Sequence, residues 1–219
     1  NGVRFTDPGI TPDFSRTPSV NRNPFANGAV EYVSVSAAGS GYAYSSAITW
    51  PTGGANAYGF LVCSVGGNSG IFGLKVLDGG KDYTGTSVTA ATGTGATMTA
   101  TLSPASGNNP HCCAIWQQRM IYGATDNNPL RIFGSRPGFL SNFSYTDIVA
   151  DDDAYEFDLD AEKVSPLRHL IPMRGGLLIF NDIGVWLLFG RDGKAVSSNI
   201  AQADPQNAVG ASYVRPIFV

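Results

Sequence analysis

The chain has 219 residues, enough to bury a sizeable core as one large or two small domains. With 14 Lys and Arg against 17 Asp and Glu its formal net charge is −3, which argues against a protein that wraps nucleic-acid phosphates with a basic face. Charged residues make up only 14% while Gly numbers 27 and Pro 13, and no window holds a sustained helical apolar period, so the expected class is all-β, built from many short strands and turns. No run of about 18 apolar residues is present, so no membrane anchor is expected. No charged-then-apolar leader is visible either. The chain begins without Met and stops at Phe218-Val219 within a strand-like run, and is read as a piece of a longer protein.

Residues 1–28 carry Pro8, Pro12, Pro18 and Pro24 among many Asn, Asp, Ser and Thr, and are expected to form an extended arm or linker. Arg4, Arg16 and Arg22 are scattered, with Asp7 and Asp13 between them, and make a poor nucleic-acid arm.

Residues 29–104 hold an internal repeat. Val33–Tyr42 aligns with Leu74–Tyr83 as a strand, a small-residue turn and a Tyr. After each Tyr come a Ser/Thr segment, a Gly-rich turn and a further strand, Tyr58–Val65 in the first copy and Ala96–Leu102 in the second. Two copies of about forty residues should make one compact β-module, because either alone leaves its apolar face open. Gly39-Ser40-Gly41 and Gly79-Gly80-Lys81 match neither GxxxxGK[ST] nor a GxGxxG that opens a helix, and read as tight turns. No cofactor is implied. Tyr42, Tyr44, Trp50 and Tyr58 would be the aromatic platform of a carbohydrate-binding alternative, with core or edge packing as the simpler role.

The turn-rich Ala105–Pro110 separates this module from a hairpin segment. Ala114–Ala124 reads as one strand, Thr125–Pro129 as a turn, and Leu130–Ser135 as a second strand. Gly176–Asn181 and Gly184–Gly190 repeat the design around Asp182-Ile183, with Gly184 available for positive φ. Hairpins some 55–60 residues apart suggest propeller blades. Cys63, Cys112 and Cys113 are an odd set, adjacent in two cases, and are expected to be buried thiols rather than a disulfide framework. His111 is the one metal-type neighbour of the Cys pair, and His169 has no relay motif around it. No GxSxG occurs.

Between these hairpins the chain turns acidic. Asp151, Asp152, Asp153, Glu156, Asp158, Asp160 and Glu162 are seven of the 17 acids. Over Tyr155–Leu159 the alternation puts Tyr155, Phe157 and Leu159 on one face, and Glu156 and Asp158, continued by Asp160, on the other. A solvated edge strand is the plain reading. A Ca²⁺ site lacks the EF-hand spacing, and glycosidase carboxylates would have to face each other across a cleft. Arg191–Gly210 is polar and turn-rich, and a further strand is expected to open at Val214.

The string from Trp116 to Ser144, the acidic Asp151–Asp160, the second hairpin and the closing Gly210–Val219 resemble the tail nozzle, or tail tubular protein B, family of short-tailed bacteriophages over residues 107–219. The matching positions are Gln117, Gln118, Arg119, Asn128, Pro129, Ser135, Arg136, Gly138, Asn142 and Phe143. The repeat module resembles small repeats of phage structural proteins that are similar in shape to the first catalytic cysteine half-domain of ubiquitin-activating enzymes. That likeness carries no chemistry, since Cys63 sits inside an apolar strand.

The resemblance implies a structural virion protein, not an enzyme, made in the bacterial host cytoplasm and placed in the tail. It would be a ring homo-oligomer, hexameric in the family, that contacts a portal-side adaptor and tail fibre or spike proteins. Viral DNA would pass through it without sequence-specific binding, and the seven acids would be candidates for lining that conduit. The alternative is a tail protein that binds or degrades bacterial surface carbohydrate.

Overall fold

The computed structural model describes residues 22–64, 69–146 and 149–217, and divides into two compact units whose boundary in the sequence falls between Ser106 and Gly107. The expected arm lies outside the described residues up to position 21. From Arg22 on the chain belongs to the first unit, Val20–Ser106.

That unit has six strands, β1 (Val30–Ser40), β2 (Ile48–Thr49), β3 (Ala55–Cys63), β4 (Ile71–Lys81), β5 (Ser87–Ala90) and β6 (Thr94–Leu102). They form a nearly closed antiparallel barrel in the order β2-β5-β6-β1-β4-β3. β1 to β3 come from one copy of the repeat and β4 to β6 from the other. Their pairing interleaves the copies: β1 lies between β6 and β4, β3 pairs with β4, and β2 pairs with β5. Among the described residues, β5 with β6 is the one ladder that joins strands of the same copy. Val33, aligned with Leu74 in sequence, is also its cross-strand partner, so the pseudo-twofold axis passes through that pair.

The repeated tyrosines hold the copies together. Tyr42 and Tyr83 are both buried. The Tyr42 hydroxyl accepts from the Ala96 N–H and the Tyr83 hydroxyl from the Ala57 N–H, each at 3.1 Å and each across copies. Their rings rest on the glycines of the opposite copy's turn. A Cβ at Gly93 would come within 2.6 Å of the Tyr42 ring, and one at Gly54 within 2.4 Å of the Tyr83 ring. The Gly-rich turns are thus seats for tyrosine as well as chain reversals. Around the clasp Val33, Leu61, Ile71, Leu74, Val88 and Met98 fill the interior. The chain enters and leaves the barrel at one place, where Ala29 and Ser103 exchange hydrogen bonds and the Gly28 N–H donates to the Pro104 carbonyl.

The second unit contains two four-stranded antiparallel meanders, the propeller-like blades that the hairpins foreshadow. The first is β7 (Cys112–Trp116), β8 (Arg119–Gly123), β9 (Arg131–Gly134) and β10 (Tyr155–Asp158). The second is β11 (Leu167–Met173), β12 (Gly176–Asn181), β13 (Val185–Gly190) and β14 (Ala201–Asn207), with a single 3-10 turn at Arg191–Gly193. Ile121, Ile132 and Tyr155 of the first sheet share one core with Leu167, Leu177, Ile179 and Leu188 of the second.

Several sequence expectations change here. Ala114–Ala124 is not one strand, because the chain reverses at Gln117-Gln118, whose φ values of 49° and 60° are those of a two-residue hairpin turn. The expected turn at Thr125–Pro129 does form, with the Thr125 N–H donating to the Asn128 carbonyl and the Thr125 hydroxyl accepting from the Asn128 N–H. The β12–β13 turn does not use Gly184 at positive φ; Asn181 Oδ1 caps it by accepting from the Ile183 and Gly184 N–H groups. The polar stretch after Arg191 contains β14, an edge strand on which Pro205 is tolerated because only one side must supply ladder hydrogen bonds. Over 214–217 no strand forms, and the last two residues lie outside the described ones. The three thiols are free, but none is fully buried as expected: Cys63 and Cys112 are half-buried, and Cys113 is exposed because it alternates with the core-facing Cys112 along β7.

Replacing either Tyr42 or Tyr83 by Phe is expected to cost about 1 kcal/mol in urea unfolding, the worth of one hydrogen bond, with each ring kept in place. A fragment of residues 22–106 should melt cooperatively with a β-type circular dichroism spectrum, whereas 22–69 alone should give the spectrum of a coil.

Candidate functional site

The first blade is organised around a charged side chain inside the protein. Arg119 opens β8 opposite Trp116 and is only 4% exposed. Its NH1 donates to the carbonyls of Ser135 and Asp153 at 2.6 and 2.7 Å, and its NH2 donates to the carbonyl of Asp151 at 2.7 Å. The guanidinium also lies 5.2 Å from the centre of the Tyr155 ring. Burial pulls its pKa down while the neighbouring Tyr155 and Asp152 raise it. An arginine remains charged throughout.

The acidic loop is thereby fastened through its main chain, and its side chains add further ties. Asp153 Oδ2 accepts from the Thr146 hydroxyl at 2.6 Å and from the N–H groups of Thr146 and Ala150 at 3.1 and 3.0 Å. Its other oxygen is buried with no hydrogen-bond partner, and its closest cation is Arg136 at 3.8 Å. Burial opposes the Asp153 charge, but the donors from Ala150 and Thr146 and the Arg136 cation outweigh it and hold the pKa below the usual carboxylate value. Arg136 binds the Asp152 carbonyl and carboxylate, and its own N–H donates to the Asn142 carbonyl. Asp151 Oδ1 accepts from the Ser197 hydroxyl, and Gln117 Oε1 from the Val196 N–H, which ties the loop and the first hairpin turn to the segment after β13.

These positions decide what the seven acids can do. Asp153 is buried and lines no surface, which corrects its place among the candidates. Asp152 and Asp158 are exposed but neutralised, by Arg136 and by Arg131, the cross-strand neighbour of Asp158 on β9. The two hydrogen bonds from Arg131 hold the Asp158 pKa low. Asp151 is engaged by Ser197. Glu156, Asp160 and Glu162 remain as exposed acids outside the clamp. The alternation expected over Tyr155–Leu159 is present on β10: Tyr155 and Leu159 are buried, Phe157 is half-buried, and Glu156 and Asp158 face outward. β10 is an edge strand, and its negative face is partly balanced by Arg131.

The other candidates do not converge. Tyr42 is buried and Trp50 packs on the module core, which leaves Tyr44 and Tyr58 as the exposed members of the four aromatics. His111 pairs with Asp126, and His169 Nε2 contacts the Ser212 carbonyl, both at 2.9 Å. Among the described residues no three His, Cys, Asp or Glu side chains are placed to hold a metal. Burial pushes the Cys112 thiol up to about 12, so it is not a ready nucleophile.

The clamp was visible only in part. Arg119, Ser135 and Arg136 stood out as motif positions, but the carbonyls they hold cannot be read from side-chain identity. The usable signal was an arginine followed by Met120-Ile121-Tyr122, since a charge entering a core strand must find partners. Comparison with protein-family models and with curated proteins finds no match to the chain.

Replacing Arg119 by Met should destabilise the second unit by roughly 3–5 kcal/mol, because three carbonyls lose a buried cation. Lys should not rescue it, as an ammonium cannot reproduce the fork. Asp153→Asn should also destabilise, with a defined pH dependence. The folded pKa of Asp153 is depressed, so its contribution is full above the unfolded pKa of about 3.9 and is lost as pH falls through the folded value. The stability gap between wild type and the variant should therefore close in acid, as measured by urea titration at stepped pH.

Proposed function

We propose that the chain is part of a structural virion protein, a nozzle or tail-tube subunit of a short-tailed bacteriophage, working in the conduit through which DNA leaves the capsid. The observation that carries this reading is the arginine clamp. Arg119, Ser135, Arg136 and Asn142, four of the positions through which the chain resembles the nozzle family, are committed to pinning the chain between β9 and β10 of the first blade. They serve construction rather than chemistry. Two propeller-like meanders and a barrel whose ends meet at one point suit a subunit assembled from rigid parts. The proposed partners are further copies in a ring, hexameric by resemblance, a portal-side adaptor and tail fibres or spikes.

Within that reading the conduit-facing acids narrow to Glu156, Asp160 and Glu162. A duplex carries one negative charge per about 1.7 Å of axis, so a basic wall would bind it at many points and a negative wall lets it slide. Repeated around a ring, even three acids per subunit build a local potential, screened beyond roughly 8–10 Å. Electron microscopy of the full-length protein should show a ring with a central lumen; slender trimers would favour the carbohydrate-directed alternative. Virions carrying Lys at positions 156, 160 and 162 should assemble and eject DNA more slowly. Ejection at the wild-type rate would remove the acids from the conduit.

A further inference from the structure

A groove of about 740 Å³ opens in the second unit between the start of β7 and β11. Its size falls in the range of small-ligand sites. Leu167, which is fully buried, and Leu170 give it an apolar floor. Around that floor stand two arginines, two histidines, a tyrosine and the thiols of Cys112 and Cys113, and no carboxylate lines the groove among the described residues.

Arg168 is held rigidly. Asp182 takes its Nε and NH2, and the plane of the guanidinium lies over the Tyr213 ring, 3.6 Å from the centroid. Asp182 balances its charge and occupies its fork, so Arg168 serves to hold the Tyr213 ring in place rather than to supply excess charge. Arg215 supplies the charge. It is exposed, lines the same groove, and meets no acid among the described residues. Tyr213 is 81% exposed, so the ring face away from Arg168 is open. His111 and His169 complete the rim. The Nε2 of each faces an oxygen that can only accept, the Asp126 carboxylate and the Ser212 carbonyl. In the neutral imidazole Nε2 then carries the proton, and Nδ1 is left as an acceptor.

A ligand matching these groups has an anionic head for Arg215, hydroxyl donors for imidazole nitrogens, and a flat C–H face to lie on Tyr213 above an apolar floor. We propose that this groove binds an anionic sugar, a uronate or a sugar phosphate, with Arg215 taking the charge and Tyr213 the ring. A neutral sugar lacks the first contact, and an aromatic acid lacks the hydroxyls. The site stands independently of the conduit reading, since a tail subunit with or without a lumen can carry it.

The test is calorimetric titration of the whole 219-residue chain with glucuronate, glucose 6-phosphate and glucose. At least one of the two anions is expected to bind saturably in the millimolar range or tighter while glucose does not, and the tighter of the two identifies the head group. Arg215→Ala should weaken binding about tenfold or more, with Arg215→Lys recovering part of it. Tyr213→Ala should weaken binding, and Tyr213→Phe should not. Both positions are exposed, and unchanged circular dichroism spectra confirm that the variants fold. Absence of saturable heat with both anions, equal binding of glucose, or unchanged affinity in Arg215→Ala would each overturn the assignment.

Discussion

A guanidinium inside the first blade is the constraint from which much of the second unit follows. Arg119 costs free energy to bury, and it is stabilised only because the Ser135, Asp151 and Asp153 carbonyls converge on it. Those carbonyls come from the end of β9 and from the loop before β10. The contact therefore fixes where the third strand stops and how the chain returns to add the fourth. Asp153, buried with its donors, and Tyr155, whose ring lies beneath the guanidinium, fasten the residues just ahead of β10. Apolar packing of Ile121, Ile132, Leu177 and Leu188 supplies cohesion. The arginine supplies the choice among ways of packing.

The acids around this centre show why a run of charge is a poor guide to a charged surface. Seven acids within twelve positions suggest a strongly negative wall, yet Arg119, Arg131 and Arg136 stand against them from neighbouring elements. Asp158 meets Arg131 because antiparallel register sets position 158 opposite 131. Nothing in the local sequence announces that pairing. What was legible was alternation, since a period of two places Tyr155 and Leu159 inside whatever the partner strand turns out to be.

The repeat module was the most readable part of the chain, and its hidden feature is equally instructive. The recurrence of Tyr42 at Tyr83 and of Gly54 at Gly93 pointed to two copies, and each pair occupies equivalent places in the barrel. The interleaving was not legible, because periodicity reports that units are alike and says nothing about which unit completes which. Gln117-Gln118 and β14 were missed for a related reason. The turn lacks Asn-Gly chemistry and the strand contains Asp204-Pro205, so local preference argues against both, and only the tertiary ladders with Arg119 and Trp186 select them. Resemblance directed attention to Arg119, Ser135 and Arg136, whereas the groove beside Arg215 has no sequence signature, because its lining comes from three separated segments.

Interleaved strands also impose an order of events on the nascent chain. β1 finds its first partner only when β4 has been made and its second only with β6, Val33 opposite Leu74 and Val30 opposite Leu102, so the first copy waits on the ribosome with its apolar side uncovered until the second emerges. Such distant pairing slows folding. It also means that two chains held close during assembly can each lend a copy to the other, since the Tyr42 and Tyr83 seats are equivalent whichever chain supplies them. The clasp that closes one barrel is therefore also the contact an exchanged repeat would re-form, and the hydrogen bonds between Ser64 and Gly70, where one copy passes to the next, are those it would give up.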